Sequence, residues 1–87
     1  MIEVVRSGCH YCEDMQEDVF EDEEMSKWLN ERFIPVQINL DNEKLPLDVK
    51  VVFTPTFYFV NAKKEIVKKV PGAWNITDFK DLTRKIK

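Results

Sequence analysis

The sequence predicts an α/β fold, built as one small domain over residues 1–87. Three observations carry that prediction. Short runs rich in β-branched and aromatic residues recur at Ile2–Val5, Ile34–Leu40, Thr56–Val60 and Glu65–Val70. Between and after them, apolar residues fall at helical spacing. The resulting order reads β-α-β-α-β-β-α, and at 44% hydrophobic and 33% charged residues the chain has the composition of a globular protein. A chain of this length buries roughly 60% of its unfolded surface, enough for one core.

Ile2–Val5 is short, apolar and β-branched, so it reads as a strand, and Ser7-Gly8 breaks it. From Cys12 the apolar positions Met15 and Val19, with Phe20 beside them, follow a helical stripe that the acidic cluster Glu21–Glu24 interrupts. Asp22 suits the N-cap of a second helical piece bearing Met25, Trp28 and Leu29. Ile34, Val36, Ile38 and Leu40 then alternate with Pro35, Gln37 and Asn39, and Pro35 suits an edge strand. Asp41-Asn42-Glu43 reads as a turn, and the stretch Lys44–Val52 as one or two helical turns.

Thr56-Phe57-Tyr58-Phe59-Val60 has no polar alternation, as a strand buried on both faces requires. Asn61-Ala62-Lys63-Lys64 turns the chain into Glu65–Val70, making a hairpin that Pro71-Gly72 ends. Thr77 or Asn75 caps a last helix with Phe79, Leu82 and Ile86 on one face, while Trp28, Phe57 and Phe59 read as core.

The chemistry concentrates in Cys9-His10-Tyr11-Cys12, which holds both cysteines of the chain. At a helix start the first sulfur faces outward and the second lies a turn inside, so the pair closes into a disulfide with little backbone movement. That spacing is the signature of thiol–disulfide exchange. A fixed structural bridge would close a loop too short to stabilise much. A metal site is not expected: the motif offers two zinc ligands where a structural zinc takes about four, and His10 is the only histidine. Haem attachment fails because Glu13, not histidine, follows Cys12.

Charge is divided along the chain. Residues 1–43 carry 12 acidic and 3 basic side chains, and residues 44–87 carry 4 acidic and 10 basic. Solvated helix faces explain the acidic block from Glu13 to Glu24, and a steering field for a partner protein is the sharper alternative. The basic residues do not interleave with stacking aromatics, which argues against nucleic acid binding. No apolar stretch approaches the roughly 20 residues of a membrane span. Met1–Arg6 lacks the basic region and cleavage site of a signal peptide, so the compartment stays open between cytoplasm and a periplasm reached after signal removal.

The element order, Cys9-x-x-Cys12 after the first strand and Thr54-Pro55-Thr56 before the third together resemble the thioredoxin superfamily over nearly the whole chain. Gly72-Ala73 resembles a third loop that family members bring to the active site. The run Gly8–Met15 looks most like bacterial thioredoxin-like proteins of the periplasmic or sulfur-oxidation type, many of which are reductants. The resemblance implies a minimal version of that fold, a central four-stranded mixed sheet flanked by helices on both faces; the leading strand and helix of thioredoxin itself are either dispensed with or trimmed from this sequence. Gly8 stands where thioredoxin has a tryptophan, and His10-Tyr11 matches neither the Gly-Pro of thioredoxin nor the Pro-Tyr usual in glutaredoxins.

The resemblance also implies roles. Cys9 is the nucleophile and Cys12 the resolving thiol; the redox-active pair needs no cofactor. His10, if protonated, stabilises a Cys9 thiolate, and Tyr11 offers contact surface or a hydrogen bond. The Thr54–Pro55 bond should be cis, with the Thr54 backbone, Gly72, Ala73 and Trp74 lining the substrate groove. Glu3, six residues before Cys9, occupies the place of a buried acid that relays a proton to the second cysteine. With no preceding strand to cover it, Glu3 is expected to be exposed instead. The function that follows is a monomeric thiol–disulfide oxidoreductase reducing protein disulfides and regenerated by a redox partner. The alternatives are an oxidase or isomerase of exported proteins, or a redox-inactive docking module.

Overall fold

The computed structural model describes residues 1–45, 49–84 and 86. Four strands, β1 (Ile2–Val5), β2 (Val36–Asn39), β3 (Thr56–Val60) and β4 (Ile66–Pro71), form one sheet in the order β2-β1-β3-β4. β1 runs parallel to β2 and antiparallel to β3, and β3 runs antiparallel to β4, so the sheet is mixed. β1 and β3 lie inside it, which is why their sequences are apolar at nearly every position: Thr56, Phe57, Tyr58 and Phe59 are all buried.

Three helices are found among the described residues: α1 (His10–Met15), α2 (Glu23–Arg32) and α3 (Ile76–Thr83). A π-helical turn, Gln16–Phe20, continues α1 directly. Its wider spacing brings Phe20, five residues after Met15, to the rings of Phe57 and Phe79, with centroids 5.7 and 5.8 Å away. Asp22 takes an extended conformation ahead of α2, whose first turn holds Glu23 and Glu24 and whose last turn holds Arg32, the charge order that suits a helix dipole. Asn75 caps α3 by accepting a hydrogen bond from the Asp78 N–H at 2.8 Å.

Met15, Val19, Met25, Leu29 and Phe79 from the helical segments meet Phe57, Phe59 and Val70 of the sheet in one apolar cluster, so the described helices share one face. The opposite face carries Val4, Ile38, Thr56 and Tyr58, which the strand registers align and which are buried. The helical turn expected within Lys44–Val52 falls partly on Pro46, Leu47 and Asp48, which lie outside the described residues; the flanking residues are not helical.

Two local differences from the sequence reading have a plain cause. β2 is the edge strand that Pro35 suggested, but of the alternating residues Ile34, Val36 and Ile38 only Ile38, paired with Val4 of the inner strand, is deeply buried. The β3–β4 hairpin slips between Phe59 and Val60, and the strand carries on to include Pro71. Its turn is organised by Asn61, whose side-chain oxygen accepts from the N–H groups of Lys63 and Glu65 at 2.9 and 3.0 Å.

Candidate active site

Three loops at one end of the sheet build the site. The first leaves β1 at Val5. Its Ser7 N–H donates to the Asp41 carboxylate at 2.8 Å and its hydroxyl accepts from Asn39 at 3.2 Å. Gly8 follows with φ +70, a conformation glycine adopts without a side-chain penalty. Cys9 then caps α1 in extended conformation, its sulfur accepting from the Cys12 N–H at 3.2 Å.

Cys9 and Cys12 are joined as a disulfide with their Cα atoms 5.2 Å apart. They are not equivalent. Cys12 is buried, with 8% of its surface exposed, whereas Cys9 is half-buried at the helix start. The tip between them is open to solvent: Tyr11 is 63% exposed and the His10 side chain 78% exposed. His10 turns toward Asp14, with Nε2 3.4 Å from the carboxylate, and stacks edge-on to Tyr11.

The second loop brings Thr54 and Pro55, joined by a cis peptide bond, against the first cysteine. The Thr54 hydroxyl donates to Cys9 Sγ at 3.2 Å, and the Thr54 carbonyl oxygen lies 3.6 Å from the same sulfur. The third loop follows β4. Gly72, at φ +93, donates its N–H to the Pro55 carbonyl at 2.8 Å. The Trp74 N–H donates to Met15 Sδ at 3.0 Å, and its indole Nε1 donates to the Pro71 carbonyl at 3.0 Å. These bonds tie the third loop to both α1 and the Thr54–Pro55 loop, with Ala73 exposed between its anchors.

Glu3 corrects an expectation. Far from being exposed, it is 5% exposed, on the middle of β1. Cover comes from the neighbouring strand and the helices: Gln37 of β2 pairs with it in register and donates to Oε1 at 3.1 Å. Its second oxygen, Oε2, is buried with no hydrogen-bond partner among the described residues. Burial raises the carboxyl above its ordinary value, and the Gln37 hydrogen bond partly offsets that rise. A cavity of about 360 Å³ reaches Glu3. A shallower cleft of about 390 Å³ reaches Cys9 and Cys12, and Gln16 and Gln37 line both.

The structure therefore gathers Cys9, Cys12, Thr54, Pro55 and Gly72 into one constellation, with Trp74 anchored beside it and His10 and Tyr11 projecting outward. Sequence reasoning missed Gln37, the sulfur of Met15 and the Thr54 hydroxyl. For Gln37 there was a signal: it is the polar residue of β2 that the alternation places beside β1. Among the described residues no group of three or more His, Cys, Asp or Glu side chains is placed to hold a metal ion. No described helix is long and apolar enough to cross a membrane.

Residues 1–87 match the family described as thioredoxin-like domain. Comparison with curated proteins finds no significant match. Among solved structures the chain is similar to a thioredoxin from Thermus thermophilus determined in solution, at 23% identity and a TM-score of 0.76. The similarity covers 98% of this chain and 70% of that one, and it shows the fold. Thioredoxin-like oxidoreductases act on protein disulfides through their cysteine pair and work without a cofactor. This chain belongs to the thioredoxin-like domain family, and its Cys9–Cys12 pair fits thiol–disulfide redox chemistry.

Proposed function

We propose that the protein reduces protein disulfides, with Cys9 as nucleophile and Cys12 as resolving thiol. The observation that carries this reading is the asymmetry of the pair. Cys9 is accessible and receives two hydrogen bonds on its sulfur, from the Cys12 N–H and the Thr54 hydroxyl, while Cys12 is buried behind it.

In the reduced protein the Cys9 thiolate attacks one sulfur of the substrate disulfide. The substrate S–S bond breaks, its other sulfur leaves as a thiolate that takes up a proton, and a mixed disulfide forms. Cys12 then loses its proton and attacks Cys9 Sγ, which releases the second substrate thiol and leaves the Cys9–Cys12 disulfide. Two electrons pass to the substrate, and a dithiol reductant must restore the pair. Glu3 is the base assigned to Cys12. Its burial and raised carboxyl suit a group that takes and returns a proton, and Gln16 and Gln37, which line both the cavity at Glu3 and the cleft at the cysteines, are the polar groups between the two.

Substrate contact is assigned to the rim: Tyr11 with His10, the Thr54–Pro55 backbone, Gly72-Ala73 and Trp74. An extended segment carrying the target disulfide fits such a shallow, backbone-rich surface.

Equilibration in glutathione buffers tests the direction. An equilibrium near about −270 mV supports the reductant, and one near about −120 mV replaces it with an oxidase. Absence of any two-electron transition sinks both and leaves a docking module. Cys12→Ser should accumulate mixed disulfides with substrate, and Cys9→Ser should trap none.

A further inference from the structure

A further cleft lies between the helical segment that starts at Cys9 and the loop after β4. It encloses about 200 Å³ and is lined by Asp14, Met15, Asp18, Ala73, Trp74 and Asn75. Asp14 comes from α1 and Asp18 from the π-helical turn that continues it, and both carboxyl-bearing residues reach the same cleft. Trp74 comes from the facing loop. Its backbone N–H is tied to Met15 Sδ and its indole Nε1 to the Pro71 carbonyl, both at 3.0 Å, so the ring is held in place while 36% of the residue stays exposed.

The two segments that build this cleft supply negative charge and almost no positive charge. Neither Ser7–Ser26 nor Pro71–Phe79 contains a lysine or arginine, and Glu13, Glu17 and Asp78 add to the two aspartates. Arg6 lines a different cleft, with Gly8, Cys12 and Gln37. The one basic side chain present is His10, whose Nε2 stands 3.4 Å from the Asp14 carboxylate, so a nitrogen donor of the chain itself already uses part of this wall. Asp18 makes no ion pair among the described residues. The tryptophans differ in the same sense. Trp28 carries Arg32 and Lys80 over its ring, 4.7 and 5.8 Å from the centroid, whereas no described cation lies over the ring of Trp74.

We propose that this cleft is a specificity subsite for a cationic side chain of the substrate segment, arginine in preference to lysine, selected by Trp74, Asp14 and Asp18. It rests on the reading of Cys9 and Cys12 as a pair that reduces protein disulfides. An indole face attracts a cation, and a planar guanidinium both stacks on the ring and donates to carboxylates as a fork, which an ammonium does not. Asp14 follows Cys9 by five residues, about 7.5 Å along a helix axis, and two residues of an extended chain span about 6.6 Å. The favoured substrate therefore carries its basic residue about two positions from the cysteine under attack. The carboxylates are wet, so the selectivity is moderate, about fivefold to tenfold.

The test uses the reduced protein and symmetric disulfides of neutral glycine-, serine- and alanine-rich peptides with one cysteine each. Arginine, lysine, glutamine or glutamate stands about two positions before or after that cysteine. Each second-order rate is divided by the rate of the same peptide with dithiothreitol, which removes the effect of the neighbour on the leaving thiol. Arginine should exceed glutamine by about fivefold to tenfold, lysine should fall between them, glutamate should fall below, and added salt should compress the series. Combining Asp14→Asn with Asp18→Asn should bring the arginine-to-glutamine ratio close to one, and Trp74→Leu should erase the margin of arginine over lysine. Ratios are taken within each variant, so a partly folded preparation does not alter them. Glu23→Gln with Glu24→Gln removes the same charge from α2, away from the cleft, and should keep the ratio.

Equal normalised rates for arginine and glutamine overturn the proposal while leaving the reductase reading intact. A preference that survives the double aspartate variant does so too, as does one lost equally in the α2 variant, which would assign it to the overall field. Failure to reduce any of the peptides removes the reductase reading and the subsite with it.

Discussion

The backbone N–H of Trp74 donates to the sulfur of Met15 across 3.0 Å, joining the loop after β4 to the helix that begins at Cys9. Met15 is buried three residues past Cys12, so a core side chain also holds one wall of the site. Met15→Leu conserves volume and should cost less than about 1.5 kcal/mol. It removes the acceptor, however, and the Trp74 amide should exchange its hydrogen with solvent several-fold faster. Hydrogen exchange read residue by residue checks this; an unchanged Trp74 rate would mean that the bond contributes nothing to loop order.

Glu3 makes stability depend on pH in a defined sense. Its folded carboxyl titrates above the unfolded value because it is buried, so the folded state binds more protons than the unfolded state between the two values. Stability therefore falls as pH rises through that window, and above it the folded state carries the cost of a buried charge. Glu3→Gln should raise stability at neutral and alkaline pH, with the gain disappearing below the unfolded carboxyl value. Urea melts at several pH values measure it, and a gain that grows toward acid would contradict the sign.

Phe57 sits at the centre of the aromatic cluster, fully buried on β3, with its ring centroid 4.9 Å from that of Phe79 and 5.7 Å from that of Phe20. Phe57→Ala should cost about 3–5 kcal/mol. Domains of this kind have roughly 5–15 kcal/mol in total, so a large unfolded fraction is expected on mild heating. Circular dichroism melts check the loss; a cost below about 1 kcal/mol would mean that the cluster refills the space.

The two helix starts should respond differently to the same change. Asn75 accepts the Asp78 N–H, so Asn75→Ala should cost about 1 kcal/mol. Asp22 makes no side-chain cap bond at the start of α2, and Asp22→Ala should cost less. Denaturant titration of both variants compares them directly, and equal costs would contradict the capping geometry.

Much of this arrangement was legible in the residues. The unbroken run Thr56–Val60 named β3, and Asn75 was one of two proposed caps for the last helix. The spacing of Cys9 and Cys12 placed the pair at a helix start. What could not be read was the cover over particular atoms. The sequence makes Glu3 look exposed because no strand precedes β1 in it, yet Gln37 of β2 and the helical segment above it enclose the carboxyl. Pro35 marked the edge strand, but Ile34 and Val36 alternate like core residues and are exposed. The Thr54 hydroxyl and the Met15 sulfur acquire their partners across 45 and 59 positions of sequence, distances over which local patterns say nothing.

The order of the strands has a consequence for how this protein tolerates crowding. β4 closes one side of the sheet with Lys68, Lys69 and Pro71, residues that discourage a foreign strand from adding to it. β2 closes the other side with an exposed Val36 and, just before it, an exposed Ile34, with Pro35 between them. At high concentration or on heating, self-association should start at β2, and a lysine in place of Val36 is the change that would most directly keep the chains apart.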